Sequence, residues 1–137
     1  MLLEDVDLSA EPGTGTPLKN ESWPIDAAFI YQTLGPDSEE LLRDLIQIFL
    51  EDSPDITRNV RQALAADDRT ALKSEAHTLK GSSASMGIIT LADLCAELEL
   101  LALTADKAAL QASAQNLLAE YRRVVTALSG PETFYLG

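Results

Sequence analysis

The stretch "ALKSEAHTLKGSSASMG", residues 71–87, contains the only histidine of the chain and two of its seven glycines. Local propensity offers two readings of it. Gly81 can end a helix after Lys80 and leave "SSAS" as loop, or the helix can run on to about Met86 and stop at Gly87. On a wheel turning about 100° per residue, Leu72, Ala76, Leu79, Ser83 and Met86 fall in one arc. Ser83 and Met86 continue the phase set by Leu72 and Leu79, so the spacing predicts one helix from near Asp68 to Met86. That arc faces a core, and His77 points away from it into solvent.

Lys73, Lys80, Gly81 and Ala84 lie within about 60° of His77 on the same wheel. The exposed patch is therefore one imidazole, two ammonium groups and two very small residues. Glycine inside a helix costs about 0.8–1 kcal/mol relative to alanine. A docking protein that must reach the imidazole gives a reason for that cost, because bare backbone one turn away removes an obstruction. The lysines disfavour an imidazolium and keep the ring neutral and nucleophilic near pH 7. They also supply cations for an anion arriving at the ring. Such an imidazole is a plausible phosphoryl acceptor, since phosphoryl transfer needs positioning and charge neutralisation more than covalent help. The plain alternative is a solvated surface histidine with no role.

The helical period continues on both sides. A short helix over about 25–34 places Ile25, Phe29, Ile30 and Leu34 on one side, with Gly35–Pro36 as its stop. The next opens on Asp37 and Glu40, a capping-box spacing, and its stripe is Leu42, Leu45, Ile46, Phe49, Ile56, Val60, Ala63 and Leu64. Pro54 lies inside it. "SPD" can start a new helix there, but the apolar phase crosses unbroken from Phe49 to Ile56, which favours one kinked helix. After the histidine helix, "TLAD" (Thr90 to Asp93) has capping-box spacing and opens a helix burying Leu91, Leu94, Cys95, Leu98 and Leu101. A last helix over about 106–128 carries Leu110, Ala114, Leu117, Tyr121, Val124, Val125 and Leu128. Short connections between the four long helices predict an all-α, antiparallel four-helix bundle with a short extra N-terminal helix across one end.

The 137 residues fit one domain, 46% apolar and only 5% aromatic, a Leu- and Ala-rich balance that favours helices. The expected division is a flexible acidic tail over 1–22, the bundle over 23–129 and a short tail over 130–137. The first tail holds "EPGTGTP", five acids and one lysine; the second holds "FYLG", which either packs back or stays loose. No apolar run reaches the roughly 18 residues a membrane span needs, and the N-terminus has acids where an export signal has bases. One cysteine fits a reducing compartment, so a cytoplasmic location is expected. The formal charge of −12, without a basic cluster, argues against nucleic acid and anionic membranes as partners. It points to a protein partner.

The strings "AHTLKGSSASMG" and "LADLCAELE", preceded by "FLEDSPDITRNVRQALAADDRTALKSEAHTLKG", resemble the histidine-containing phosphotransfer (HPt) family over about residues 24–129. The resemblance implies a four-helix bundle and a role in multistep phosphorelays, taking a phosphoryl group from one receiver-domain aspartate to another. It implies that His77 is phosphorylated, that Lys80 steadies the phosphoryl group and that Gly81 leaves room for the receiver. Lys73 and Ser82 support the site, Ser82 by holding a polar network. Ile30, Leu34 and Ala84 are the candidates for the receiver-binding surface. No cofactor or metal is expected on this chain, because magnesium would sit on the receiver. Partners would be response-regulator receiver domains or a hybrid histidine kinase, and the chain itself is expected to be monomeric. One position departs from the pattern: some relatives place a neutral polar residue 22 positions after the histidine, and this chain has Glu99. A carboxylate there could orient the ring but would oppose phosphoryl charge, and its role is left open.

Three other readings compete. A sensor-kinase phosphoacceptor helix typically has an acid right after the histidine and a proline soon downstream; Thr78 follows here, and the next proline is Pro131. The phosphoacceptor module of a chemotaxis-type kinase carries a similar H-x-x-K-G stretch, but these residues hold no Gly-rich nucleotide box. A non-catalytic adaptor bundle predicts no acid-labile phosphate. A metal enzyme is disfavoured, because one His and one Cys on opposite sides of the bundle make no ligand set.

Overall fold

A computed structural model describes residues 24–35 and 38–129. Both expected tails and Asp37 lie outside the described residues. Five helices form among the described residues: α1 (Ala27–Leu34), α2 (Ser38–Ala66), α3 (Arg69–Ser85), α4 (Ile89–Leu101) and α5 (Lys107–Leu128). Packing runs α2 on α3, α3 on α4, α4 on α5 and α5 back on α2. With connections as short as residues 67–68 and 86–88, successive helices must double back, and the result is the expected four-helix bundle.

The stripes read from the sequence form its interior. Leu42, Ile46, Phe49, Val60, Leu72, Leu79, Leu91, Leu98, Leu110, Leu117, Val124 and Leu128 are all buried, each worth about 1.5–3 kcal/mol of transfer free energy. Leu45, Ile56, Leu64, Leu94, Leu101 and Val125 pack against this core only partly buried.

Helix ends are set by short-range polar chemistry. Asp26, Asp68 and Asp106 cap α1, α3 and α5, accepting from the amides of Phe29, Ala71 and Ala109 at 3.0, 3.1 and 2.8 Å. These satisfy donors that have no intrahelical partner. The "TLAD" expectation is corrected. α4 starts at Ile89, with Ile88 at its cap and no side-chain cap bond, so Thr90 is already inside the first turn. The cause is the turn before it: Ser83 O accepts from Ile88 N at 2.9 Å, and Gly87 at φ +72° swings the chain straight into the next helix.

α2 is one continuous helix through Pro54. Proline withholds an amide donor, and hydroxyl groups crowd the carbonyls around it. Ser53 Oγ donates to Phe49 O at 2.5 Å, and Thr57 Oγ1 lies 3.2 and 3.1 Å from the Ser53 and Pro54 carbonyls. Ser53 also pairs with the Tyr121 hydroxyl of α5 at 2.8 Å, which ties the proline turn to the opposite helix.

α1 docks at the end of the bundle where α3 turns into α4. Asp26 N donates to Gly87 O at 2.8 Å, Phe29 packs beside Gly87, and Ile25 and Ile30 enter the core.

Candidate functional site

α3 is helical through Gly81 to Ser85, so residues 73–84 share one continuous wheel. Burial of Leu72, Ala76, Leu79 and Ser83 fixes its rotation and turns His77 outward, with 66% of its side chain exposed. Lys73, Gly81 and Ala84 are exposed beside it, and Lys80 is half-buried.

The facing helix completes the site. Leu91, Cys95 and Leu98 anchor α4 in the core, and Glu99, the next residue, emerges at the α3 seam with 19% of its side chain exposed. Its Oε2 lies 2.9 Å from His77 Nδ1, and its Oε1 lies 2.7 Å from Lys80 Nζ. The Lys80 contact first, and the His77 contact second, hold the Glu99 carboxyl below its ordinary 4.5, outweighing the desolvation that would raise it. An ionised carboxylate only accepts hydrogen bonds, so Nδ1 is the donor. In the neutral ring the lone pair is then on Nε2, which has no partner among the described residues. The carboxylate thus faces the ring and Lys80 together, one oxygen on each. Beneath this pair, Cys95 is sealed in, and burial pushes its thiol up to about 12.

A Cβ added to Gly81 would meet no atom within 4 Å. Among the described residues, neither packing nor backbone conformation calls for glycine at this position. Gly81 leaves open space on the side of His77 away from Lys80, because the wheel puts the two residues about 100° apart across the histidine.

On that same side, Ser82 and Ser85 of α3 face Leu45, Ile48, Phe49, Asp52 and Ser53 of α2 across a shallow groove of about 120 Å³ floored by Met86. Ser82 is thus turned toward α2 and not into the His77–Glu99–Lys80 cluster. Of the three surface candidates, Ala84 is exposed and the side chain of Leu34 lies outside the described residues. Ile30 is corrected: it is 3% exposed and part of the core, because α1 lays that face onto the bundle. Two exposed apolar residues of α2 were not among those candidates. Leu41 and Ile48, the latter 52% exposed, are seven apart and off the phase of Leu42, Ile46 and Phe49. That second apolar line was the available signal.

Among the described residues no group of three or more His, Cys, Asp or Glu could hold a metal ion, and no helix is long and apolar enough to cross a membrane. No curated protein and no solved structure matches the chain. The family model of the Hpt domain matches residues 44–130, well over half of the sequence. The matched span opens inside α2 and ends just after α5, leaving α1 outside while holding all three members of the ion-paired cluster and the glycine beside it. The chain belongs to the Hpt domain family, the histidine phosphotransfer modules of phosphorelays.

Proposed function

We propose that this chain carries a phosphoryl group between receiver-domain aspartates, with His77 Nε2 as the atom that accepts and releases it. The observation that carries this reading is the solvent-facing ring whose Nδ1 is held by Glu99 at 2.9 Å. That contact fixes both the tautomer and the orientation of the imidazole. The Nε2 lone pair attacks the phosphorus of an aspartyl phosphate. The N–P bond forms as the P–O bond to the aspartate breaks, and the carboxylate leaves with the bonding pair. Onward transfer is the reverse step at a second receiver. A magnesium ion on the receiver would neutralise the phosphoryl oxygens, with this chain acting as the carrier.

The docking surface is the exposed strip from Gly81 and Ala84 to the α2 groove at Leu45 and Ile48. Apolar area at its centre, ringed by polar residues, suits a transient protein interface. The test is incubation with a panel of phosphorylated receiver domains. Label should reach the wild type and not His77→Gln, while Gly81→Gln should accept it more slowly with its fold intact. Equal labelling of His77→Gln would remove His77 from the mechanism.

A further inference from the structure

We infer that the Glu99 carboxylate keeps a proton on Nδ1 of the phosphorylated ring, so that His77 leaves as a neutral imidazole when the phosphoryl group departs. This rests on the carrier reading above and names the group that governs release at the same site. When Nε2 takes the phosphoryl group it spends its lone pair, and the ring becomes an imidazolium that still bears its Nδ1 proton. Two outcomes then diverge. If the proton stays, cleavage of the N–P bond returns the pair to Nε2 and frees a neutral ring. If the proton is lost, the same cleavage must expel an imidazolate anion, a far poorer leaving group.

The groups around the ring decide which outcome holds. On α3, Lys73 and Lys80 flank it, and both favour losing the proton. On α4, Glu99 is the charged group that faces it, since Ala96, one turn before it, is uncharged. On the α2 flank, Glu75 is turned to Asn59 at 3.4 Å. The one anion in contact with the ring is therefore Glu99 Oε2, directly on the proton at issue. The phosphoryl group sits at the opposite corner of the ring, and its repulsion by the carboxylate is offset by Lys80 on Oε1 at 2.7 Å. The two oxygens divide the work: one holds the proton, and the other carries the counter-cation. A neutral amide in this place would still orient the ring but would not hold its charge. That is the consequence of a carboxylate where a neutral polar side chain would give the same hydrogen bond.

The experiment charges the full chain with phosphoramidate, a small donor that needs no partner, and follows hydrolysis of the phosphorylated protein from about pH 6 to 10. Water attacks phosphorus and the same ring departs. An opposite charge at this distance moves a titration by about one unit or more. The pH at which hydrolysis slows is therefore expected to fall by about one unit in Glu99→Gln, a rate loss of up to roughly tenfold between the two midpoints. Lys80→Met, which keeps the carboxylate, should leave that pH unchanged or raise it. Superimposable profiles for wild type and Glu99→Gln would overturn the inference while leaving the carrier reading intact. A downward shift in both variants would also overturn it, by placing the effect on the ion pair. Label that reaches His77→Gln as readily as wild type would instead sink the carrier reading, and this inference with it.

Discussion

Two glycines six residues apart should respond to the same substitution with opposite signs. Gly81 lies in the helical interior of α3, and an added Cβ meets nothing within 4 Å. Gly81→Ala should therefore stabilise the protein by about 0.8–1 kcal/mol, the intrinsic helix preference of alanine. Gly87 sits at φ +72°, where a Cβ would come within 2.9 Å of Phe29 Cδ2. A left-handed alanine costs about 1–2 kcal/mol, and displacing Phe29 from its seat adds to that, giving a loss of about 2–3 kcal/mol. The two variants should differ by about 3–4 kcal/mol, or roughly 2 M in the urea midpoint at an ordinary slope. Circular dichroism during urea titration measures it, with unchanged slopes required. If Gly81→Ala destabilises, α3 does not run straight through residue 81, and the gap does not lie beside His77. If Gly87→Ala is neutral, the left-handed turn that seats α1 is wrong. Phosphotransfer adds a second axis: Gly81→Ala should be nearly as fast as wild type and Gly81→Gln slower, although both variants fold.

The buried hydroxyl link at Pro54 should be worth measuring as a pair. Ser53→Ala leaves Tyr121 OH without its partner and should cost about 1–3 kcal/mol, and Tyr121→Phe in the same background should recover part of it in a double-mutant cycle. Cys95 should resist a thiol-specific disulfide reagent at pH 8 in the native state and react at once in denaturant, because burial keeps its thiol protonated up to about pH 12; rapid native labelling would contradict its placement under the Glu99–Lys80 pair. The depressed carboxyl of Glu99 has a definite sign. Its stabilising contribution is fully present above the unfolded value near 4.5 and is lost as pH falls below that toward the folded value. Acid titration of stability should accordingly be flatter below pH 4.5 in Glu99→Gln than in wild type.

The bundle was legible because each long helix carries a strict apolar stripe, and the decisive case was α3, where Ser83 and Met86 keep the phase that Gly81 would otherwise have ended. The stripe also fixed which way His77 points. Three features were not legible, for physical reasons. The α4 start was misplaced because capping spacing in "TLAD" competes with a turn whose timing is set by Gly87, and turn geometry overrides a cap signal. Ile30 was assigned to the surface because a two-turn amphipathic helix has one apolar face, and the sequence cannot say whether that face meets the bundle or a partner. α1 buries it. Glu99 was noticed by its spacing from His77, but its bridging of Nδ1 and Lys80 depends on the register of α4 against α3, which only the fold supplies.

Phosphoryl carriage depends on which atom of which residue forms the bond to phosphorus. A nitrogen–phosphorus correlation spectrum of the phosphorylated, ring-labelled protein reads this directly. Coupling of phosphorus to Nε2 of His77, with the proton retained on Nδ1, is the predicted result. Phosphorus on Nδ1, or on any other side chain, would contradict it.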